Sequence, residues 1–250
     1  MPHVTNDALK LHYQTEGAGP PVLFLHGYTS TIALWHDQMP VFSSDYRLIR
    51  MDLRGHGESA GTDMDGYTFA ALAGDALAVL DREGIERATI VGHSMGGMVA
   101  QELLARHPDR VSAAVFSSTT CKAPAREYFQ PVVEWAVKLG DIPAGKRAAD
   151  PLTRSCKPVS EATARGCGEM HMNMENFADS LKGSATPCLV IRGSEESATI
   201  LSGSSMLLDA LPNAQEAVIE GAGHVPQITH PAAYNDVLAG FLRQLHNRVE

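Results

Sequence analysis

The chain is short of several things, and each shortage excludes something. No stretch of it is long and apolar enough to span a membrane. The first residues, Met1-Pro-His-Val-Thr-Asn-Asp-Ala, are polar and lack the apolar run of a secretory signal, so the expected location is the cytoplasm. Cysteine is scarce: Cys121, Cys156, Cys167 and Cys188 stand alone, with no C-x-x-C pair. They read as reduced thiols, and Cys188, within Pro-Cys-Leu-Val-Ile, as a core strand residue. No glycine-rich dinucleotide fingerprint and no phosphate-binding loop occur, so no cofactor is implied. Positive charge is also short: 20 Lys and Arg stand against 29 Asp and Glu, for a formal net charge of -9. That balance argues against nucleic acid or an acidic membrane as a partner. It selects no substrate and no oligomeric state.

What is present suits one α/β domain. The 250 residues are 44% hydrophobic and 20% charged, enough for a sizeable core. Val4 to Gln14 alternates Leu9, Leu11 and Tyr13 with polar residues, which predicts a half-buried hairpin turning at Asn6-Asp7. Val22-Leu-Phe-Leu25 is a continuous apolar run, as in an interior parallel strand. A helix is expected over Trp35 to Phe42, then a strand from Tyr46 to Asp52. Phe69 to Glu83 carries Leu72, Ala76, Val79 and Leu80 at helical spacing and ends at Gly84. Further strands are expected at Val111–Phe116, Pro187–Arg192 and Ala217–Glu220, with helices at Ser204–Leu211 and Ala232–Leu245.

From Cys121 to Gly183 the alternation stops. Only helical pieces are expected there: Tyr128–Leu139, Ala144–Ala149, Ser160–Arg165 and Met170–Leu181. The division that follows is a core of residues 1–120 and 184–250 with a helical lid over 121–183. Strands alternate with helices on both sides of this excursion, so the sheet is expected to be mostly parallel and doubly wound.

One stretch organises the rest: Ala88-Thr-Ile-Val-Gly-His-Ser-Met-Gly-Gly-Met-Val-Ala100. Ile90 and Val91 suit a buried strand, and Met98 onward suits a helix. Between them, Gly92-His-Ser-Met-Gly96 fits G-x-S-x-G. A serine held on a sharp strand-to-helix turn needs small neighbours at minus two and plus two, because the two backbones pass close there. His26, Asp52, Ser94, Ser117, Glu196 and His224 all fall at or just after expected strand ends. In a parallel sheet they share one rim, where ligands bind.

Five motifs in this order resemble the α/β-hydrolase superfamily: His26-Gly27-Tyr28, Asp52-x-Arg-Gly-His-Gly-x-Ser59, Gly92-His-Ser-Met-Gly-Gly97, Gly193-x-x-Glu196 and Gly223-His-x-Pro226. The likeness covers nearly the whole chain except the lid. It is nearest to the small lidded branch of esterases, enol-lactonases, carbon–carbon bond hydrolases and cofactor-free haloperoxidases. The resemblance implies Ser94 as nucleophile and His224 as its base. It implies an acid three residues after Gly193, which is Glu196, where the family usually has Asp; Glu195 next door is the alternative. It implies an oxyanion hole from the backbone N–H groups of Met95 and Tyr28. His56 is expected to tie a tight turn with Asp52 and Arg54. No metal ligand set is seen, His171 lacking a partner at ligand spacing.

Within the lid, Trp135, His171 and Met172 are candidate substrate contacts. Met170, Met174 and Phe177 either share that role or pack the lid onto the core. The leading function is hydrolysis of a small carboxylic ester or lactone through an acyl-enzyme. A carbon–carbon hydrolase of a diketone-type substrate stays open, although Val225 stands where such enzymes usually have Trp. A ligand receptor on the same fold is the reading from a different class, kept open by the unusual acid.

Overall fold

The protein is described here by a computed structural model covering residues 2–6 and 8–246. Eight strands form one sheet: β1 (His3–Asn6), β2 (Leu9–Glu16), β3 (Pro21–Leu25), β4 (Arg47–Met51), β5 (Ala88–His93), β6 (Val111–Ser117), β7 (Cys188–Gly193) and β8 (Ala214–Ile219). Their spatial order is β1-β2-β4-β3-β5-β6-β7-β8. The β1/β2 and β2/β4 pairs are antiparallel, and every pair from β4 to β8 is parallel. The expected hairpin is therefore present. Of its expected turn, Asn6 closes β1 and Asp7 lies outside the described residues, as does Met1.

The continuous apolar runs divide by parity. Leu23 and Leu25 face one helical layer with Ile49, Ile90, Ala114 and Val190. Val22 and Phe24 face the other with Leu48, Val91, Val115 and Ile191. Two-sided burial is why these strands show no polar alternation. The first layer holds α2 (Phe69–Arg82) and α3 (Met95–Arg106); the second holds Trp35, α1 (Met39–Phe42) and α10 (Pro231–His246). The expected end of α2 is met: Gly84 sits at φ +68° and its N–H reaches the Asp81 carbonyl.

Several boundaries differ from expectation, each for a local reason. The helix expected over Trp35 to Phe42 is two pieces, a 3-10 turn at Ile32–Trp35 and the short α1. Pro40 has no N–H to give and fits only a first helical turn, so it starts a new helix. Between β6 and β7 the chain forms α4 (Arg126–Val137), α5 (Ala144–Ala149), α6 (Glu161–Met172) and α7 (Phe177–Leu181). Here α6 is continuous where two pieces were expected. Ser160 caps its start and Asn176 starts α7 separately. Gly166 and Gly168 do not break α6. A Cβ at Gly166 would lie 2.4 Å from the Tyr67 ring, and one at Gly168 2.5 Å from Val133, so both glycines permit close packing. The helix expected at Ser204 starts earlier, as α8 (Ala198–Ala210) behind the Ser197 cap. At the sheet edge, β8 begins at Ala214, where Gln215 and Glu216 are exposed and hide the strand from an apolar pattern. The last short helix, α9 (Pro226–Thr229), precedes α10.

The loop after β4 is knotted on one carboxylate. Asp52 Oδ2 accepts from His12 Nδ1 at 2.8 Å and from the Glu58 N–H at 3.0 Å, while Oδ1 accepts from the Ile32 N–H at 2.8 Å. Burial alone would raise this carboxyl. The neighbouring His26 imidazole, the His12 bond and the two amides outweigh it and hold Asp52 below the usual carboxylate range. The expected His56 triangle is only partly present. His56 Nδ1 donates to the Arg54 carbonyl at 2.9 Å, whereas the Arg54 guanidinium grips Asp75 through bonds of 2.6 and 2.8 Å. The imidazole on Asp52 comes instead from His12, on the hairpin.

Asp52→Ala should therefore cost about 3 kcal/mol of unfolding free energy, because it strands several buried donors at once. Glu58→Ala, which removes an exposed side chain, should stay within about 0.5 kcal/mol. Urea unfolding midpoints of the two variants check this.

Candidate active site

The elbow is built from close approaches. Ser94 sits between β5 and α3 at φ +51°, ψ −115°, a conformation that strains any residue with a side chain. A Cβ on Gly92 would lie 2.2 Å from the Gly96 carbonyl oxygen, and one on Gly96 would lie 2.2 Å from that of Leu25. Both positions therefore require glycine. The turn is pinned from outside: the Ser94 N–H donates to Ser117 O at 2.9 Å, and Thr119 Oγ1 donates to Ser94 O at 2.7 Å.

His224 and Glu196 approach Ser94 from the far strands. His224 Nε2 lies 3.2 Å from Ser94 Oγ, and its Nδ1 lies 3.2 and 3.3 Å from the two oxygens of Glu196. The loops after β7 and β8 are tied together. Ser194 N–H reaches Ile219 O, Glu195 N–H reaches Ala222 O at 2.9 Å, and the Gly221 N–H reaches Ser194 Oγ at 2.8 Å. Of the two candidate acids, the structure brings Glu196 to the imidazole, with its side chain 1% exposed. Glu195 is exposed. Burial would raise the Glu196 carboxyl. The bond to His224, its positive potential, the Ser118 hydroxyl and the Ser197 N–H outweigh burial and hold Glu196 below the ordinary range.

Ser118 was not singled out from the sequence. It is fully buried at φ +45°, and its Oγ has no partner at full hydrogen-bonding geometry, so its influence on Glu196 is a dipole at short range. The only sequence signal for it is its place just beyond the end of β6.

The proposed oxyanion donors lie beside the elbow. The Met95 N–H is the first of α3, and neither it nor the Tyr28 N–H meets an acceptor among the described residues. A Cβ on Gly27 would lie 3.0 Å from the His93 ring and 3.3 Å from Ser94 Cβ, so the loop carrying Tyr28 runs against the serine.

A cavity of about 830 Å³ opens over Ser94 and His224. The helical excursion roofs it and is stitched to the loop after β3. Tyr28 Oη donates to Ala164 O at 2.6 Å, Ser30 Oγ meets Ser155 Oγ at 2.8 Å, and Thr31 Oγ1 donates to Ser155 O at 3.0 Å. Trp135 and His171 line the cavity. Met172 does not; one residue past His171 on α6, it is turned roughly 100° away. Met170, Met174 and Phe177 belong to the main core, so that stripe packs the excursion down. The face of α4 also splits. Val133, Ala136 and Leu139 are buried, while Tyr128, Phe129, Val132 and Trp135 line the cavity. Phe129 and Ile200 went unpredicted, because an apolar residue facing a cavity carries the same pattern as one facing a core.

His171 stacks on Phe129 at 4.8 Å and packs against Tyr28 and Phe69, with Nδ1 donating to Cys167 O at 2.6 Å. Burial pushes its imidazole down to about 4. Burial and the neighbouring His26 push His56 down to about 3, and His26 and His93 are also lowered, chiefly by burial. These rings are neutral wherever the protein is folded at ordinary pH.

The sequence matches the family model described as alpha/beta hydrolase fold over residues 20–156, more than half of the chain. The chain belongs to the α/β-hydrolase family. It is 25% identical over 260 residues to the 3-oxoadipate enol-lactonase 2 of Acinetobacter baylyi, covering 97% of each chain. Among solved structures, the enol-lactonase of Burkholderia xenovorans superimposes with a TM-score of 0.86 at 24% identity, over 97% of this chain and all of that one. Est816, described as an N-acyl homoserine lactone degrading enzyme, gives a TM-score of 0.79 at 29% identity, over 96% of this chain and all of that one. This α/β hydrolase has no helix, among its described residues, long and apolar enough to cross a membrane.

The buried neutral histidines make acid stability steep. Their folded values lie below the unfolded 6.5, so between those values the unfolded chain binds more protons. Stability is full above pH 6.5 and is lost as the pH falls toward about 4 for His171 and about 3 for His56. Each contributes up to about 1.4 kcal/mol per pH unit within its window. Urea midpoints measured at falling pH should drop continuously below pH 6.5; a flat profile down to pH 5 would contradict the buried neutral state.

Proposed function

We propose that the protein hydrolyses a carboxylic ester or lactone through an acyl-enzyme on Ser94. The observation that carries this reading is the continuous chain Ser94 Oγ, His224, Glu196, with each contact at 3.2 to 3.3 Å, on a strained elbow. A neutral serine hydroxyl needs an adjacent base, and His224 Nε2 is placed to take its proton as Oγ attacks the carbonyl carbon. The carbonyl π pair moves to oxygen, where the N–H groups of Met95 and Tyr28 receive the developing charge. The imidazolium then gives its proton to the departing alkoxide. In a lactone, that alkoxide stays attached to the acyl chain. Water, deprotonated by His224, attacks the acyl-enzyme, and collapse frees Ser94 and the carboxylic acid.

Glu196 accepts from His224 Nδ1, fixes the tautomer and stabilises the imidazolium. The backbone of its loop is held to the segment after β8 through the Glu195 N–H and the Ala222 carbonyl, which fixes where this side chain starts. The helical excursion acts as a lid that supplies the apolar walls. The similarity to enol-lactonases and to a homoserine-lactone degrading enzyme supports a lactone or ester.

Incubation with a p-nitrophenyl ester and a serine-directed phosphonate tests the reading. Both turnover and labelling should vanish in Ser94→Ala. Glu196→Gln should keep the fold but lower kcat/KM by about three orders of magnitude. A folded protein with no label at Ser94 would sink the assignment.

A further inference from the structure

The substrate cavity is one-sided in charge. Among its described lining residues there is no lysine and no arginine. Three acidic residues are among its lining: Glu196, which is buried, and Asp150 and Glu195, which are exposed. Glu196 is engaged by His224, but no ion pair involves Asp150 or Glu195 among the described residues. The arginines of the excursion are committed elsewhere. Arg154 pairs with Asp37 at 2.8 Å, Arg126 with Glu169 at 2.9 Å, and Arg165 with both Glu134 and Glu161. Arg147 donates to the carbonyls of Leu139 and Ile142. Lys157, one residue past Cys156, is exposed and no part of the lining. The imidazoles of His93 and His171 are buried and offer no charge. The rest of the wall is uncharged: apolar side chains such as Phe129, Val132, Trp135 and Ile200, with hydroxyl groups such as those of Thr120 and Thr199.

From this we infer that the enzyme takes uncharged substrates: esters or lactones of an apolar acyl group with no carboxylate of their own. The inference rests on the hydrolase reading above and narrows it. A substrate carboxylate drawn into the cavity would lose water, meet no cation, and face two unpaired negative charges. Each of these effects opposes binding. The chain's net charge of -9 works in the same direction at the encounter stage. The product acid, once released from Ser94, is itself an anion in this cavity. The same field that rejects an anionic substrate speeds its departure.

A matched pair of probes isolates the charge: p-nitrophenyl methyl adipate and its half-acid, p-nitrophenyl hydrogen adipate. They share the reacting ester and chain length and differ at the remote end. At neutral pH and low ionic strength, kcat/KM should favour the neutral diester by at least about thirtyfold. The Asp150→Asn, Glu195→Gln double variant should shrink that ratio by about fivefold or more, and added salt should shrink it partly. Turnover of the half-acid within threefold of the diester would overturn the inference. A large ratio unchanged in the double variant would overturn the part assigned to those two carboxylates. If neither probe reacts, protection of Ser94 from the phosphonate decides the matter: the diester should protect and the half-acid should not. Absence of any label on Ser94 would refute the hydrolase reading itself, a result distinguishable from loss of selectivity.

Discussion

Everything in this molecule is fitted to the passage of α3 beside β5. The chain must reverse from strand to helix within one residue, and Ser94 takes that turn at a positive φ. The backbones are so close that Gly96 abuts the Leu25 carbonyl, which fixes the end of β3 relative to the elbow. The loop after β3 then has a single path, past His93 and over the serine. Strain of this kind costs about 1 to 3 kcal/mol and persists only where its surroundings over-determine it. Here the surroundings are two helical layers packed on both faces of the sheet, together with the buried Asp52 knot that locks the neighbouring loop.

Burial sets the electrostatics above the elbow. Four imidazoles near the rim are kept neutral because desolvation outweighs their neighbours. Glu196 is buried as well, yet its carboxyl is held below the ordinary range because the His224 imidazole and local donors answer it. The contrast is one of pairing and not of depth. A buried group keeps its charge only where another group answers it. The same rule fits the cavity, where the two carboxylates without an ion pair, Asp150 and Glu195, lie at exposed positions.

The sheet and the site elements were legible in the sequence because both follow from short-range constraints. Gly92 and Gly96 flanking Ser94 state a steric requirement, and the apolar run at Val22–Leu25 states burial on two sides. Glu196 was legible as a position after Gly193, although the choice between it and Glu195 depended on which way each side chain points. What the sequence hid was packing. Phe129 facing a cavity and Val133 facing the core are written in the same letters. Met172 falls outside the cavity for the same reason, since a helical turn decides which of two adjacent residues faces it. Pro40 and the caps at Ser160 and Asn176 moved the helix boundaries, and they could have been weighed more heavily.

The order of the parts along the chain has a consequence for synthesis. Ser94 precedes His224 by 130 residues, and His224 lies on the loop after β8, the last strand in chain order and one edge of the sheet. Closing so long a loop costs entropy that later contacts must recover. A nascent chain can complete the elbow, both flanking strands and much of the core while its serine is still a plain alcohol. The contact between Ser94 and His224 therefore forms late, and a copy that has lost its final strand and the loop after it lacks that contact altogether.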